Sequence, residues 1–265
     1  MITPTALTIA GSDSGGGAGI QADIKTFSAL GVYSASVITA VTAQNTVAVT
    51  AVHVVPPRMV SAQIKAVLDD IEVHAIKIGM LASAEIIIAV AEAIATYKGC
   101  VVLDPVMVAK SGDTLLDESA ISALIKYLLP RADMLTPNLP EAAKLLNLQM
   151  AMSPAEMLSQ GQALCTMGVK SVLMKGGHAA GKTCTDIFVT PDHHWHLEAL
   201  RVATNNTHGT GCSLSSAITA NLAKGCDVKV AVQNAHHWLH GAIANADHLN
   251  IGHGHGPVHH FYEMW

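Results

Sequence analysis

Positive charge is scarce in this chain. Fifteen lysines and arginines stand against twenty aspartates and glutamates, a formal net charge of −5, and no basic run appears. That balance argues against a nucleic-acid partner. The five cysteines are an odd number with no C-x-x-C pair among them, which reads as reduced thiols in a cytoplasmic protein. The apolar start has no basic n-region, since the first cation is Lys25, so no signal peptide is read. The richest apolar stretch, residues 86–95, is interrupted by Glu92 and is too short to span a bilayer; no membrane partner is expected. No sequence period of about 20–50 residues repeats, and no linker-like segment divides the chain. With 265 residues, half of them hydrophobic, the chain can bury one large core, and length alone allows one domain or two.

What is present is an alternation of strands and helices. Residues 5–10 read as a short buried strand, followed by the loop Gly11-Ser12-Asp13-Ser14-Gly15-Gly16-Gly17-Ala18-Gly19. Ile20, Ile24 and Phe27 then recur at helical spacing up to Gly31. Further strands are predicted at 36–41, 75–78, 101–103, 134–135, 171–175, 184–190 and 194–198. Helices are predicted after Pro57, at 84–97, near 116–129, after Pro140, at 154–167, and at about 212–224 and 228–245. Such alternation implies crossover connections, hence a mostly parallel sheet with helices on both faces. Ligands of such sheets bind outside the carboxyl ends of the strands. The unusual residues fall there: the 11–19 loop, Gln44, Met80, Asp104, Asn138, Glu141 and Lys175 all follow predicted strands.

The stretch Asn206-Thr207-His208-Gly209-Thr210-Gly211-Cys212 leads into a helical apolar pattern at Leu214, Ile218 and Leu222. A glycine-rich turn feeding a helix N-terminus leaves backbone N–H groups aimed at one point and makes an anion site. Two other phosphate patterns are rejected. Gly176 to Thr183 fits G-x-x-x-x-G-K-[ST], but residues 184–189 alternate like a strand where a P-loop needs a helix. Gly17-x-Gly19-x-x-Ala22 resembles a dinucleotide fingerprint, but the next strand ends in Gln44 rather than an acid. Asp23, close to the glycine loop, is at least a favourable acid near a helix start. Gln44 offers a donor and an acceptor, suited to the edge of an aminopyrimidine, or else is a solvated amide. Asp104 and Glu141 are caps or surface charges singly; jointly they could hold Mg²⁺ through water. Lys175, before two glycines, could reach a phosphate oxygen. His236, His237 and His240 lack the acid that an H-E-x-x-H site needs, so no dedicated transition-metal site is expected.

Nine motifs in register carry a resemblance over essentially the whole chain. They include Ile9-Ala10-Gly11-Ser12-Asp13, Gly19-Ile20-Gln21-Ala22-Asp23, Thr42-Ala43-Gln44-Asn45-Thr46 and Lys77-Ile78-Gly79-Met80-Leu81. Leu103-Asp104-Pro105-Val106-Met107, Thr136-Pro137-Asn138-Leu139-Pro140-Glu141, Lys175-Gly176-Gly177-His178, residues 206–212 and Gly254-His255-Gly256-Pro257-Val258 follow. The chain resembles the hydroxymethylpyrimidine/phosphomethylpyrimidine kinases of the ribokinase-like superfamily. The resemblance implies a single α/β domain over 1–265, a three-layer sandwich that phosphorylates 4-amino-5-hydroxymethyl-2-methylpyrimidine, and then its monophosphate, with ATP and Mg²⁺ for thiamine biosynthesis. It implies a pyrimidine pocket of Gly11, Asp23, Gln44, Met80 and Val106, and an anion hole at Gly209, Thr210 and Gly211. Lys175 would contact phosphate, and Asn138 and Glu141 would form the Mg²⁺-associated pair. The wider superfamily usually has an aspartate base where this chain has Cys212. Members of this kinase group carry cysteine there, which leaves the identity of the base open. A helix N-terminus is expected to lower the Cys212 pKa. Pyridoxal or pyridoxine kinase is the alternative activity, and a homodimer is admitted.

Overall fold

The sheet is built outward from one strand that is apolar on both faces. β1 (Thr5–Ser12) is buried along nearly its whole length and pairs in parallel with β2 (Tyr33–Gln44) on one side and β4 (Ala75–Ile78) on the other. The parallel ladder continues through β5 (Cys100–Leu103), β6 (Met134–Leu135) and β7 (Ser171–Met174). Antiparallel strands close both edges: β3 (Val49–Val54) beside β2, and β8 (Thr183–Val189) with β9 (His194–Leu200) beyond β7. The full order is β3-β2-β1-β4-β5-β6-β7-β8-β9. This computed structural model describes residues 3–107, 116–177 and 181–265.

Period-two alternation divides each strand between two helical layers. Leu7, Ile9, Ile76 and Ile78 point to one face, where Val60 and Ile64 of α2 (Pro57–Leu68) and Ile86, Ile87 and Val90 of α3 (Ala84–Ala93) meet them. The same face carries α4 (Glu118–Ala123), α5 (Leu139–Leu146) and α6 (Pro154–Thr166). Ala6, Ala75, Val102 and Leu173 point the other way, onto Phe27 of α1 (Gly19–Ala29), Leu214 and Ile218 of α7 (Thr210–Ala223), and Trp238 of α8 (Val228–Ala244). The expected three-layer α/β sandwich is the observed one.

The sequence expectation differs from the structure in two places. β3 had no predicted counterpart. It is a solvent-facing edge strand with apolar residues on both faces, so it carries no clean alternation. The helix expected near 116–129 starts only after Asp117, whose side chain caps Ala120 N–H. It then widens into a π turn at Leu124–Leu128 and ends in a 3₁₀ turn at Leu129–Arg131, against Pro130.

Candidate active site

All the parallel strands deliver their carboxyl ends to one cavity of about 1380 Å³. Its two ends differ in chemistry. At one end Gly11, Gln44, Met80 and Val106 line the wall. Gly11 leaves room for Met80, since a Cβ there would come within 2.6 Å of Met80 Cε and displace that methyl group. Gln44 Oε1 accepts from Thr42 Oγ1 at 3.2 Å, while its Nε2 stands 3.4 Å from His208 Nε2. That imidazole nitrogen is engaged at 2.8 Å with the Asp13 carboxylate, so it carries its hydrogen and cannot accept from Gln44. Gln44 thus lines the cavity with an amide nitrogen that has no good protein acceptor among the described residues.

Asp23 is not part of that wall. Its side chain is fully buried beneath it, and its carboxylate is filled by protein donors: Thr8 Oγ1 at 2.6 Å, Lys77 Nζ at 2.9 Å and Ser216 Oγ at 2.7 Å. With those oxygens committed to β1, β4 and α7, Asp23 ties three elements together instead of facing a ligand. Lys77 itself, absent from the sequence expectations as a site residue, reaches the cavity wall. Desolvation opposes its charge, but Asp23, Cys212 and Asp104 hold its pKa above the ordinary lysine value. A lysine inside the fully buried strand Ala-Ile-Lys-Ile was the available signal, because a buried charge demands a partner.

The other end is the polar one. Lys175 Nζ lies 3.0 Å from Asp104 Oδ1 with both side chains nearly buried. Thr136 Oγ1 donates to the same carboxylate at 3.2 Å and Ser215 Oγ at 3.4 Å. Burial disfavours the Lys175 charge, but Asp104 and Glu141 outweigh it and raise the pKa. Asn138 and Glu141 form a capping box at the start of α5: Glu141 N–H donates to Asn138 Oδ1 and Asn138 N–H to Glu141 Oε2, each at 2.8 Å. Burial, with Asp104 nearby, pushes the Glu141 carboxyl up to about 7 against the pull of Lys175.

α7 opens into the same end. Its N-cap is Gly209, with φ of 80° and no side-chain cap, so the first-turn N–H groups get no side-chain acceptor. Gly209 must be glycine twice over, since a Cβ would also sit 1.8 Å from Gly17 O. A Cβ on Gly211 would stand 3.3 Å from Lys175 Nζ and 3.7 Å from Asp104 Oδ2, so helix terminus, lysine and carboxylate converge. Thr210 and Cys212 share this wall. The expected lowering of the Cys212 pKa is reversed. Burial pushes the thiol up to about 11, with Asp23 and Asp104 adding to the rise, and Lys77 and the Gly19 N–H offset only part of it. Crowding by protein outweighs the helix terminus.

The rejected P-loop pattern behaves as expected. Thr183 opens β8, which pairs with β9, so Lys182-Thr183 precede a strand; Lys182 is exposed and off the cavity wall. Residues 178–180, including His178, lie outside the described residues. No helix among the described residues is long and apolar enough to cross a membrane.

A cation, buried carboxylates and an uncapped helix N-terminus at the strand ends of a ribokinase-like sandwich define an α/β phosphotransferase. The comparisons sharpen that class. A family model described as phosphomethylpyrimidine kinase matches residues 13–259. A hydroxymethylpyrimidine/phosphomethylpyrimidine kinase of Rhizobium meliloti is 54% identical over 264 residues, covering 100% of this chain and 99% of the relative. The crystal structure of a Clostridium difficile phosphomethylpyrimidine kinase superposes with a TM-score of 0.80 at 44% identity, over 90% of this chain and 99% of that one. A Staphylococcus aureus pyridoxal kinase in complex with AMP-PCP and pyridoxal gives a TM-score of 0.90 at 33% identity, over 99% of this chain and 95% of that one. The chain belongs to the phosphomethylpyrimidine kinase family, and it is a kinase.

Proposed function

We propose that this protein, acting as one catalytic domain, transfers the γ-phosphoryl group of ATP to 4-amino-5-hydroxymethyl-2-methylpyrimidine. It then phosphorylates that product again to the diphosphate used for thiamine. One observation carries the reading: a single cavity joins a pocket lined by Gly11, Gln44, Met80 and Val106 to the cluster of Lys175, Asp104 and the Gly209-Thr210-Gly211 turn. The names of the sequence relatives support it. The substrate hydroxyl oxygen forms a bond to the γ-phosphorus, the bond to the ADP oxygen breaks, and the hydroxyl proton passes to Cys212 Sγ. Lys175 and the α7 N–H groups meet charge that develops on the transferred group, an interaction worth most in the transition state.

Asp104 and Glu141 fit a Mg²⁺ ion held partly through water. They are two oxygen-donor carboxylates, with Asp104 close enough to raise the cost of charge on Glu141. Bound there, the ion would neutralise phosphate charge. Cys212, as a thiol with a pKa of about 11, is a base only in its minor thiolate form, which Lys77 and the Gly19 N–H favour. The second substrate, already carrying a phosphate nucleophile, needs less from it.

ADP release coupled to phosphorylation of the alcohol, of its monophosphate and of pyridoxal tests the reading in one assay. Turnover on both pyrimidines is the expected result. Turnover on pyridoxal alone would replace this reading with pyridoxal kinase.

A further inference from the structure

The two glycine loops that face the cavity come from opposite ends of the chain, and one buried side-chain pair joins them. Asp13 Oδ2 accepts from Gly17 N–H at 3.1 Å, Ala18 N–H at 2.9 Å and His208 Nε2–H at 2.8 Å, and Oδ1 accepts from Gly15 N–H at 2.8 Å. One carboxylate thereby fixes the loop before α1 and holds the residue immediately before Gly209, the N-cap of α7. The side chains are 3% and 10% exposed, so the pair is screened little by water. The fit is close: a Cβ on Gly17 would lie 2.3 Å from His208 Cδ2. His208 N–H is anchored in turn on Gly256 O at 3.0 Å.

We infer that Asp13 and His208 are positioning residues that align the substrate hydroxyl with the phosphoryl group. The end of β1 carrying Gly11, with the loop that follows it, sets where the pyrimidine sits, and the turn carrying Gly209 to Gly211 sets where the phosphoryl group sits. The Asp13–His208 pair is a side-chain bond between those two frames. Each half-site binds its own ligand without the pair, but the two reactants are brought into line only with it. This inference rests on the pyrimidine-kinase reading above.

The test compares wild type with His208→Leu, His208→Gln and Asp13→Asn. Binary Kd values for ADP and for the pyrimidine alcohol are read by calorimetry, and kcat by formation of both products. In His208→Leu, kcat falls by at least about tenfold, since misplacement on the scale of an ångström is that costly. Both Kd values stay within about threefold, under ~0.7 kcal/mol. The ratio of ADP released to pyrimidine phosphate formed rises above the wild-type value, as water competes for the misaligned phosphoryl group. His208→Gln, which keeps an N–H for Asp13, recovers most of kcat and the product ratio. A folded His208→Leu with wild-type kcat and product ratio overturns the inference, as does a loss confined to one Kd. If His208→Leu does not fold, Asp13→Asn carries the same comparison against His208→Gln. A wild type that fails to phosphorylate the alcohol sinks the pyrimidine reading itself; an active wild type matched by its variants sinks only the alignment role.

Discussion

Lys77 Nζ lies 2.9 Å from Asp23 Oδ2, and neither side chain has any exposed surface. Removing one partner strands the other charge in the core, which costs about 3–5 kcal/mol. Asp23→Ala is therefore expected to lower stability by that amount in denaturant unfolding without ligand. Gln44→Ala, at a half-buried site on the cavity wall, should leave stability within about 0.5 kcal/mol. It should instead raise KM for the pyrimidine by roughly two- to tenfold, with KM for ATP unchanged, as losing one neutral hydrogen bond implies. A stable Asp23→Ala with a pyrimidine KM defect would return Asp23 to the pocket.

Lys175 and Lys182 separate two models of the phosphate site. Lys175 sits on Asp104 at 3.0 Å, while Lys182 is exposed ahead of β8. Lys175→Ala is expected to lower kcat by about 10²-fold or more, as loss of a preorganised contact to developing charge does. Lys182→Ala should stay within about threefold, the usual consequence of a surface substitution. Steady-state rates with saturating ATP decide the order, and the reverse order would revive the P-loop pattern.

Cys212 carries a pH signature. Because burial raises its pKa to about 11, the thiolate fraction grows about tenfold per pH unit below that value. The kcat on the alcohol should rise from pH 7 to 9, and Cys212→Ala should lose at least about 10²-fold and flatten the profile. Loss on the monophosphate should be smaller. Equal losses on both substrates, or a near-wild-type Ala variant, would leave Lys175 and the helix terminus as the machinery.

His260 sets an acid limit on the fold. Burial first, then Lys25 and His259, lower its pKa from 6.5 to about 3, and it pairs with Ser213 Oγ at 2.9 Å. A base with a depressed folded pKa binds its proton more readily when unfolded. Stability is thus unaffected above pH 6.5 and lost as pH falls towards 3, by about 1.4 kcal/mol per unit. His260→Gln should flatten that slope between pH 6 and 4 in urea titrations. Asp13, whose pKa is lowered despite burial by His208 and the Gly15 and Ala18 N–H groups, adds its loss only at lower pH. An unchanged slope would show that another group sets the acid response.

The sheet was legible because β1 and β4 alternate between two buried faces, and the place of the cavity because Asp104 and Lys175 directly follow β5 and β7 and Gly11 lies near the end of β1. Side-chain pairing was not legible. Lys77 and Asp23 are 54 residues apart, and His208 and Asp13 are 195 apart; no local pattern encodes such pairs. Asp23 was placed on the helix after the glycine loop and expected in the pyrimidine pocket, whereas it is buried beneath the cavity wall, since spacing along α1 gives a face and not a depth. Cys212 was read from its helix terminus alone, without the surrounding protein that raises its pKa.

The segment at 254–257 bridges two distant turns. His255 N–H donates to Thr46 O at 2.9 Å, Gly256 N–H to Asn206 Oδ1 at 3.1 Å, and His208 pairs with Pro257. Synthesis proceeds from the N-terminus, so the pyrimidine loop emerges long before the residues that hold the phosphate turn. Contacts of such separation form late, after the entropy of closing a long loop has been overcome. A chain shortened to residue 253 is accordingly expected to lose the clasp between the Thr46 and Asn206 turns, so its ADP release should fall while its circular dichroism spectrum keeps the α/β signature.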